Sequence, residues 1–179
     1  MDSLQESYAY PIGKCKLEAN YTPKLVSKWI GAIASVTLLL DYCIENLDEA
    51  QLNTPYREGG WTVNQVIHHI ADSHMNAYMR TKLALTEDRP AIKPYDEKLW
   101  AELPDVMDVP VNVSITMIHA LHRRWVSLLS QLTEEDWKKE YYHPADQNYV
   151  PLWQMANMYS WHGRHHVEQI MSLRKRMNW

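Results

Sequence analysis

Residues 161–166 read Trp-His-Gly-Arg-His-His and lie inside an apolar segment late in the sequence. If this segment is an α-helix, residues four apart share one face about one turn from each other, so His162 and His166 can aim their imidazoles at a common point. His165, a step of about 100° round the helix from its neighbour, falls to the flank of that face. The spacing therefore predicts a chelating pair made of His162 and His166.

The helix face that carries this pair is otherwise apolar. The residues that follow its i, i+3/i+4 rhythm are Met155, Tyr159, His162, His166, Ile170 and Leu173. Both histidines should therefore be buried. Buried imidazoles need partners, which are either a metal ion or hydrogen bonds within the core. The short H-x-x-x-H spacing leaves both interpretations open, and a third ligand would decide between them.

Length and composition predict one helical domain spanning residues 1–179. A chain of 179 residues can bury a stable core without disulfides or structural metal ions. Five glycines and 46% hydrophobic residues suit a helical domain better than a β-sandwich with many turns. The net charge of −4, with scattered basic residues, offers no electrostatic footprint for nucleic acid. The one local cluster, residues 174–176, is expected to cap the last helix instead.

The cysteines and the first residues predict a cytoplasmic protein with no membrane partner. Cys15 and Cys43 lie far apart, form no C-x-x-C motif and suggest no disulfide framework. The first residues lack a basic region followed by an apolar stretch, and no run approaches 18 apolar residues.

Start signals mark the helices along the chain. Residues 1–20 show no periodicity and predict an arm laid over the fold, whereas Thr22 followed by Pro23 is typical of a helix start. That helix is predicted to run to about residue 47. A Thr-x-x-Gln capping box at Thr62 to Gln65 begins the second helix, which should end near residue 86.

Two further helices complete the predicted fold. Ser114 is a plausible cap for a third helix that ends near residue 132, and Pro151 begins a fourth that ends near residue 177. The proline-rich stretch 87–110 and residues 138–150 are predicted as long loops. Because no strand pattern or internal repeat is visible, the sequence predicts an all-α four-helix bundle with long crossover loops.

Other histidines on the second and third helices could supply a third ligand. On the apolar stripe of the second helix, His74 lies near the centre and His69 at the edge, while His68 points nearly away. Periodicity therefore permits His69 or His74 and disfavours His68. On the third helix His119 and His122 are three apart, which also allows chelation, although a surface or core position is favoured for each.

Several blocks of the sequence resemble one known family. They are Tyr10-Pro11-Ile12-Gly13, Thr54-Pro55-Tyr56-Arg57, Gly59-Gly60-Trp61-Thr62-Val63, His68-His69-Ile70-Ala71-Asp72-Ser73-His74-Met75-Asn76, Pro94-Tyr95-Asp96-Glu97 and residues 161–166. Together they resemble the YfiT-type metal-dependent hydrolases of the DinB-like superfamily over nearly the whole chain. The resemblance implies a four-helix bundle of unusual connectivity, a divalent metal held by three histidines, and a homodimer.

Carried over residue by residue, the resemblance implies that His69, His162 and His166 are the metal ligands. It makes His74 a pocket or outer-sphere residue. Zinc is the first expectation for the metal and nickel the second, with one ion per subunit. Three protein ligands leave a fourth position open, as is typical of catalytic rather than structural zinc sites.

The resemblance implies a hydrolase in which the metal activates water. The alternative is a transferase that activates a low-molecular-weight thiol such as bacillithiol, because a metal lowers the pKa of either group. A second alternative is a non-enzymatic metal-binding stress or interaction protein. No general base is evident: by helical rotation Asp72 turns away from His69, and Glu168 lies on a different face from His166. Tyr159 and Ser73 are expected to face the site and could donate hydrogen bonds there, with a plain core position as the alternative for Tyr159.

Overall fold

The structure is a computed structural model that describes residues 3–179. Its helices, in chain order, are α1 (Ser3–Ala9), α2 (Pro23–Ile44), α3 (Glu49–Leu52), α4 (Val63–Thr86), α5 (Glu97–Trp100), α6 (Pro104–Asp108), α7 (Val111–Leu129), α8 (Glu134–Lys138) and α9 (Leu152–Met177). A short hairpin of β1 (Glu140–His143) and β2 (Asn148–Pro151) precedes α9. The long helices α2, α4, α7 and α9 form the body of the fold.

Local capping explains where the long helices begin. The Thr22 side chain accepts a hydrogen bond from the backbone N–H of Leu25, and Pro23 occupies the first turn. The predicted capping box of α4 is confirmed, since Thr62 accepts from the N–H of Gln65 and the Gln65 side chain accepts from the N–H of Thr62. These contacts satisfy backbone donors that would otherwise lack partners.

The four long helices pack as a bundle whose order in space differs from the order in sequence. Helix α2 packs against α7 and α9, and α4 packs against the same two helices. The consecutive helices α2 and α4 are therefore diagonal neighbours, and so are α7 and α9. The predicted all-α four-helix bundle with long crossovers is confirmed, because each diagonal step needs a connection that passes over one end of the bundle.

Some connections are more ordered than the sequence predicted. The prediction that residues 138–150 form a loop without strands was wrong, because β1 and β2 pair antiparallel from Glu140 opposite Pro151 to His143 opposite Asn148. Four-residue strands are too short to show a clear alternation. The stretch 87–110 contains α5 and α6, and the arm predicted for residues 1–20 includes α1; residues 1 and 2 lie outside the described residues.

After α1, the chain is bound to the side of α9. The bonds run from the Gln169 amide to the Ala9 carbonyl (2.9 Å), from the Trp161 indole N–H to the Gly13 carbonyl (3.1 Å) and from the Glu18 N–H to Asn157 Oδ1 (2.7 Å). We call residues 9–18 the N-terminal strap. It covers one face of the helix that carries the histidine pair.

Buried apolar side chains form two clusters along the bundle. One includes Val36, Leu40, Val66, Ile67, Ile70, Ile118, Val167 and Ile170. The other includes Val26, Trp29, Ile33, Ala77, Trp125, Leu129, Met155 and Tyr159. On α4, α7 and α9 the boundary between the two clusters falls at His74, His122 and His162. A layer of imidazoles therefore separates two apolar halves of the core.

Within residues 3–179, α2 is the one helix whose length and mean hydropathy of 1.3 would suffice to cross a membrane. The core helix of a soluble protein passes the same test. In this fold α2 buries Ile33, Val36 and Leu40 in the bundle. The expectation of no membrane partner stays a prediction.

Gly163 marks a close approach of α9 to α2. A Cβ atom built on Gly163 would lie 2.5 Å from Val36 Cγ2, 3.1 Å from Val36 Cγ1 and 3.3 Å from His74 Cε1. The first distance is far inside van der Waals contact. Glycine therefore permits the packing that brings α9, with the histidines on either side of Gly163, against α2.

Replacing Gly163 with alanine is expected to destabilise the fold. Overpacking a core costs about 1–3 kcal/mol, and the better helix propensity of alanine offsets about 1 kcal/mol of that cost. The free energy of unfolding, measured in urea on the metal-free protein, should therefore fall by up to about 2 kcal/mol. The added V36A substitution should recover part of the loss beyond what the separate effects predict.

Gly31 provides the matched control. It lies within α2, and a Cβ built there would have no atom within 4 Å. The G31A substitution should therefore raise the free energy of unfolding by about 0.5–1 kcal/mol through helix propensity alone. If G163A and G31A changed stability alike, close packing at Gly163 would not be the reason for glycine there.

Candidate metal centre

Three histidines from two helices converge at one point of the bundle. His69 projects from α4, and His162 and His166 project from α9. Each offers a ring nitrogen, and these three atoms lie within 4.8 Å of one another. The Nε2 atoms of His69 and His162 are 3.2 Å apart. The predicted i, i+4 pair does meet a third imidazole, and that imidazole belongs to His69.

The donor set fits a divalent transition metal. Zinc–nitrogen bonds of about 2.0–2.1 Å in a tetrahedral shell place two ligand nitrogens about 3.3 Å apart, close to the 3.2 Å between His69 and His162. Burial lowers the pKa of His69 to about 4 and lowers the pKa values of His162 and His166 well below the ordinary value. The imidazoles are therefore neutral near pH 7, as metal ligands must be.

Gln169 fixes the orientation of His166. Its amide NH₂ donates to the Ala9 carbonyl at 2.9 Å, which can only accept, so its Oε1 is the atom facing His166. Nδ1 of His166 donates to that oxygen at 2.9 Å. The neutral ring then carries its proton on Nδ1 and presents the Nε2 lone pair to the cluster. The N-terminal strap thus supports one of the three candidate ligands.

His74, the alternative that periodicity left open, lies behind the cluster. Its Nε2 is 3.2 Å from Nδ1 of His162, and its Nδ1 is 2.7 Å from Nε2 of His122. Nδ1 of His122 is in turn 2.9 Å from the backbone carbonyl of Ile33 on α2. The structure therefore brings His69 to the cluster and places His74 and His122 in a hydrogen-bonded row that ends on α2.

The remaining histidines lie elsewhere. His68 was predicted to point away from the apolar stripe, yet it is buried, because Ser114 Oγ (2.8 Å) and the Val109 carbonyl (3.1 Å) cover that side of α4. His165 is also buried, because the Trp161 ring stacks on it at 4.2 Å. His119 is exposed and lies 3.0 Å from the Asp41 carboxylate.

An open cleft of about 710 Å³ reaches the cluster at His166. Its walls come from the N-terminal strap, the turn before α4, α5 and α9, and its lining includes Tyr10, Arg57, Trp61, Glu97, Lys98 and Glu102. The Trp61 ring lies 4.7 Å from that of His69, measured between centroids. The cleft gives a small molecule a route to His166, and its wall carries charges of both signs.

Carboxylates near the cluster differ in their suitability as a base. Burial, followed by the nearby Asp105, raises the pKa of Asp72 to about 6, and this influence places Asp72 towards α6. Glu168 is exposed on α9. Glu97 was given no catalytic role from the sequence, because the long loop gave no clue to its position; it lines the same cleft as His166, and burial raises its pKa. Tyr159 and Ser73, both expected to face the site, are hydrogen-bonded to each other, and the Tyr159 ring lies 5.4 Å from that of His162, measured between centroids.

Comparison with known proteins places this arrangement in a family. The DinB superfamily matches residues 35–170. A protein of Bacillus cereus (strain AH820) named "Putative metal-dependent hydrolase" is 51% identical over 170 residues, which cover 95% of this chain and 97% of that protein. A protein of the same name from Bacillus thuringiensis subsp. konkukian shows the same identity and coverage.

A solved structure is similar over the same extent. YfiT from Bacillus subtilis, described as a probable metal-dependent hydrolase with an unusual four-helix bundle topology, superimposes with a TM-score of 0.94 and is 43% identical. The match covers 97% of this chain and 99% of YfiT. The predicted resemblance to YfiT-type proteins is confirmed.

Proposed function

The chain belongs to the DinB superfamily, and from that premise we propose that it is a metal-dependent hydrolase whose cation is held by His69, His162 and His166. Zinc is the proposed metal, with nickel as the second candidate, because borderline ligands such as imidazole suit both. The observation that carries the proposal is the convergence of three neutral imidazoles, one of which, His166, lines an open cleft.

The three side chains support catalysis better than a purely structural role. Structural zinc is almost always enclosed by four protein ligands, whereas three leave one position for an exchangeable molecule. When bound, a divalent cation supplies a Lewis acid that makes water or a thiol more acidic. The chain itself holds the ligands in place through Gln169 and covers His69 with the Trp61 ring.

Glu97 is the proposed general base. Its carboxylate lines the same cleft as His166, and its raised pKa moves it towards the range in which a carboxylate accepts a proton effectively. In hydrolysis it would take a proton from the attacking water and pass it to the leaving group. Attack by a thiolate needs less of such help, so dependence on Glu97 separates hydrolysis from thiol transfer.

Metal removal and reloading provide the first test. Untagged protein is expected to contain about one equivalent of a transition metal, to lose turnover of an ester and amide panel after chelation, and to regain it with zinc or nickel. The same panel run with electrophiles and low-molecular-weight thiols tests the alternative. Thiol consumption without hydrolysis would contradict the hydrolase proposal and support transfer.

The E97Q substitution tests the proposed base. General acid–base groups contribute roughly 10²–10⁴-fold to rate, so E97Q should lower kcat by at least about 100-fold while metal content is unchanged. Glu102, another carboxylate in the cleft wall, provides the matched control, and E102Q should stay within about threefold of the parent. Equal effects of the two substitutions would remove Glu97 from this role.

The homodimer and the cytoplasmic location stay predictions. Size-exclusion chromatography with light scattering on purified protein tests the first, and fractionation of cells tests the second.

A further inference from the structure

The layer of imidazoles inside the bundle forms a continuous row from a backbone carbonyl to the candidate metal centre. In order, the row is the Ile33 carbonyl on α2, His122 on α7, His74 on α4 and His162 on α9. Its three links measure 2.9, 2.7 and 3.2 Å. Each of the four long helices contributes one member.

The direction of these hydrogen bonds follows from one atom. A carbonyl oxygen can only accept, so Nδ1 of His122 must carry a proton and donate it to Ile33. In a neutral imidazole the other nitrogen then has a lone pair, and Nε2 of His122 accepts from Nδ1 of His74. The His74 and His122 rings are inclined by only 3°, so the N–H can point along the lone pair.

The same reasoning continues to the metal centre. With its proton on Nδ1, His74 has a lone pair on Nε2, which accepts from Nδ1 of His162 at 3.2 Å. His162 then has its lone pair on Nε2, the atom that lies 3.2 Å from Nε2 of His69. Every ring in the row is forced into one tautomer, and the last lone pair is directed into the cluster.

Among residues 3–179, no hydrogen-bond partner from outside the row reaches the ring nitrogens of His74 or His122. His74 is fully enclosed and His122 nearly so, between the apolar side chains that flank the layer. The Trp125 and Tyr159 rings meet His74 edge-on, at 5.9 and 5.2 Å between centroids. Trp125 uses its own N–H on Thr81. The imidazoles therefore satisfy one another's hydrogen-bonding groups. The Ile33 carbonyl, which can only accept, sets the direction of every hydrogen bond in the row.

We propose that His122 and His74 are positioning residues that transmit the hydrogen-bond polarity of the Ile33 carbonyl to His162, holding its Nε2 lone pair towards the cation. This inference rests on the proposed metal site and adds two residues, one of them on a helix that supplies no ligand. Gln169 performs the corresponding task for His166 with a single side chain. Through the row, the Ile33 carbonyl and His122 orient His162 in the same way, although neither contacts it directly.

Two measurements test the proposal without using catalytic activity. Long-range ¹⁵N–¹H correlation spectra of the metal-free protein at pH 7.5 report the tautomer of each histidine. His122, His74 and His162 are all expected to carry the proton on Nδ1, although free histidine favours Nε2. A spectrum in which His162 carries its proton on Nε2, or exchanges between both nitrogens, would overturn the proposal even if every variant failed to fold.

Variants of His122 supply the second measurement. Phenylalanine keeps an aromatic ring but cannot accept from His74, so H122F should weaken zinc affinity 10- to 100-fold, the usual effect of losing an outer partner of a ligand. Glutamine can donate its N–H to Ile33 and accept with its oxygen from His74, so H122Q should recover affinity to within about threefold. Zinc affinity is measured by competition with a chromophoric chelator.

His119 provides the matched control for these variants. It lies one turn before His122 on α7, is exposed and contacts Asp41 rather than the row. H119F should leave both zinc affinity and the His162 tautomer unchanged. Wild-type affinity in H122F would overturn the proposal. A wild-type protein that holds zinc but turns over no substrate would contradict the proposed hydrolase and leave these two readouts intact.

Discussion

Replacing His166 with alanine is expected to lower zinc affinity by more than about 100-fold, beyond the loss typical of an outer-sphere partner. The substitution removes one of three converging nitrogens, and the two that remain cannot enclose a cation as effectively. In the metal-free protein the change should cost roughly 1–3 kcal/mol of stability, because it leaves the buried Gln169 oxygen without the hydrogen bond from His166. Calorimetric titration and metal analysis measure the loss.

His165 provides a matched control for this substitution. It is adjacent in sequence, similarly buried and stacked on Trp161, yet it is not one of the three converging residues. H165A should cost packing stability and lower zinc affinity by no more than about 100-fold, because His165 contacts Gln169, which orients His166, and is not itself one of the converging ligands. One full equivalent of tightly bound zinc in H166A would rule out the proposed ligand set.

The same variant separates the candidate functions. In an enzyme, H166A should lose turnover and retain helical structure and most thermal stability. For a structural site, the zinc-induced rise in melting temperature would be the main effect, since a ligand that binds only the native state stabilises it. A protein that acts through surface interactions alone would keep its partner binding after the substitution.

The second large effect is an expected loss of folding stability at acidic pH. Burial is the leading cause that lowers the pKa values of seven histidines, including His68. The shift is larger for the other six: to about 4 for His69, His122 and His165, and well below the ordinary value for His74, His162 and His166. In the unfolded chain each regains a value near 6.5. Between those values the unfolded state binds more protons, so stability is present above about pH 6.5 and falls as the pH drops towards 4.

The size of the acid effect follows from the number of groups. Each histidine that takes up a proton only on unfolding contributes up to about 1.4 kcal/mol per pH unit. Asp72 and Glu97 oppose them, because their raised pKa values favour the folded state at low pH, but these are two carboxyls against a larger number of histidines. If only half of the histidines act fully, the metal-free protein should lose roughly 4 kcal/mol between pH 7.5 and 5.5.

Urea unfolding of the metal-free protein at several pH values measures this loss. Bound zinc should delay it, because protons and the cation compete for the same lone pairs. H119Q, which removes an exposed histidine, should leave the pH dependence unchanged. Equal stability at pH 7.5 and 5.5 would show that the enclosed imidazoles do not resist protonation.

Features encoded by short stretches of sequence were predictable. The capping residues Thr22 and Thr62 mark helix starts through contacts within three residues, and the i, i+4 spacing of His162 and His166 determines a shared face. These local signals were sufficient to predict the four-helix bundle and the chelating pair of His162 and His166. The choice of His69 over His74 came from the family resemblance, because both positions lie on the same side of α4.

Features that depend on packing between distant segments were not predictable. The hairpin strands are too short for periodicity to reveal, and His68 is buried by α6 and α7 rather than by its own stripe. The row from Ile33 to His162 needs the diagonal arrangement of the long helices, which a single helix pattern does not contain. Glu97 reaches the cleft only because the long crossover folds back as α5.

The distance along the chain between the candidate ligands has a consequence for biosynthesis. His69 and His162 are 93 positions apart, and the second belongs to the helix whose close approach to α2 depends on Gly163. The ribosome therefore releases α4, with His69, long before it releases His162 and His166 on α9. In the proposed site, the three ligands come together only after α9 has emerged and docked, and a nascent chain stalled before residue 152 carries His69 but lacks His162 and His166.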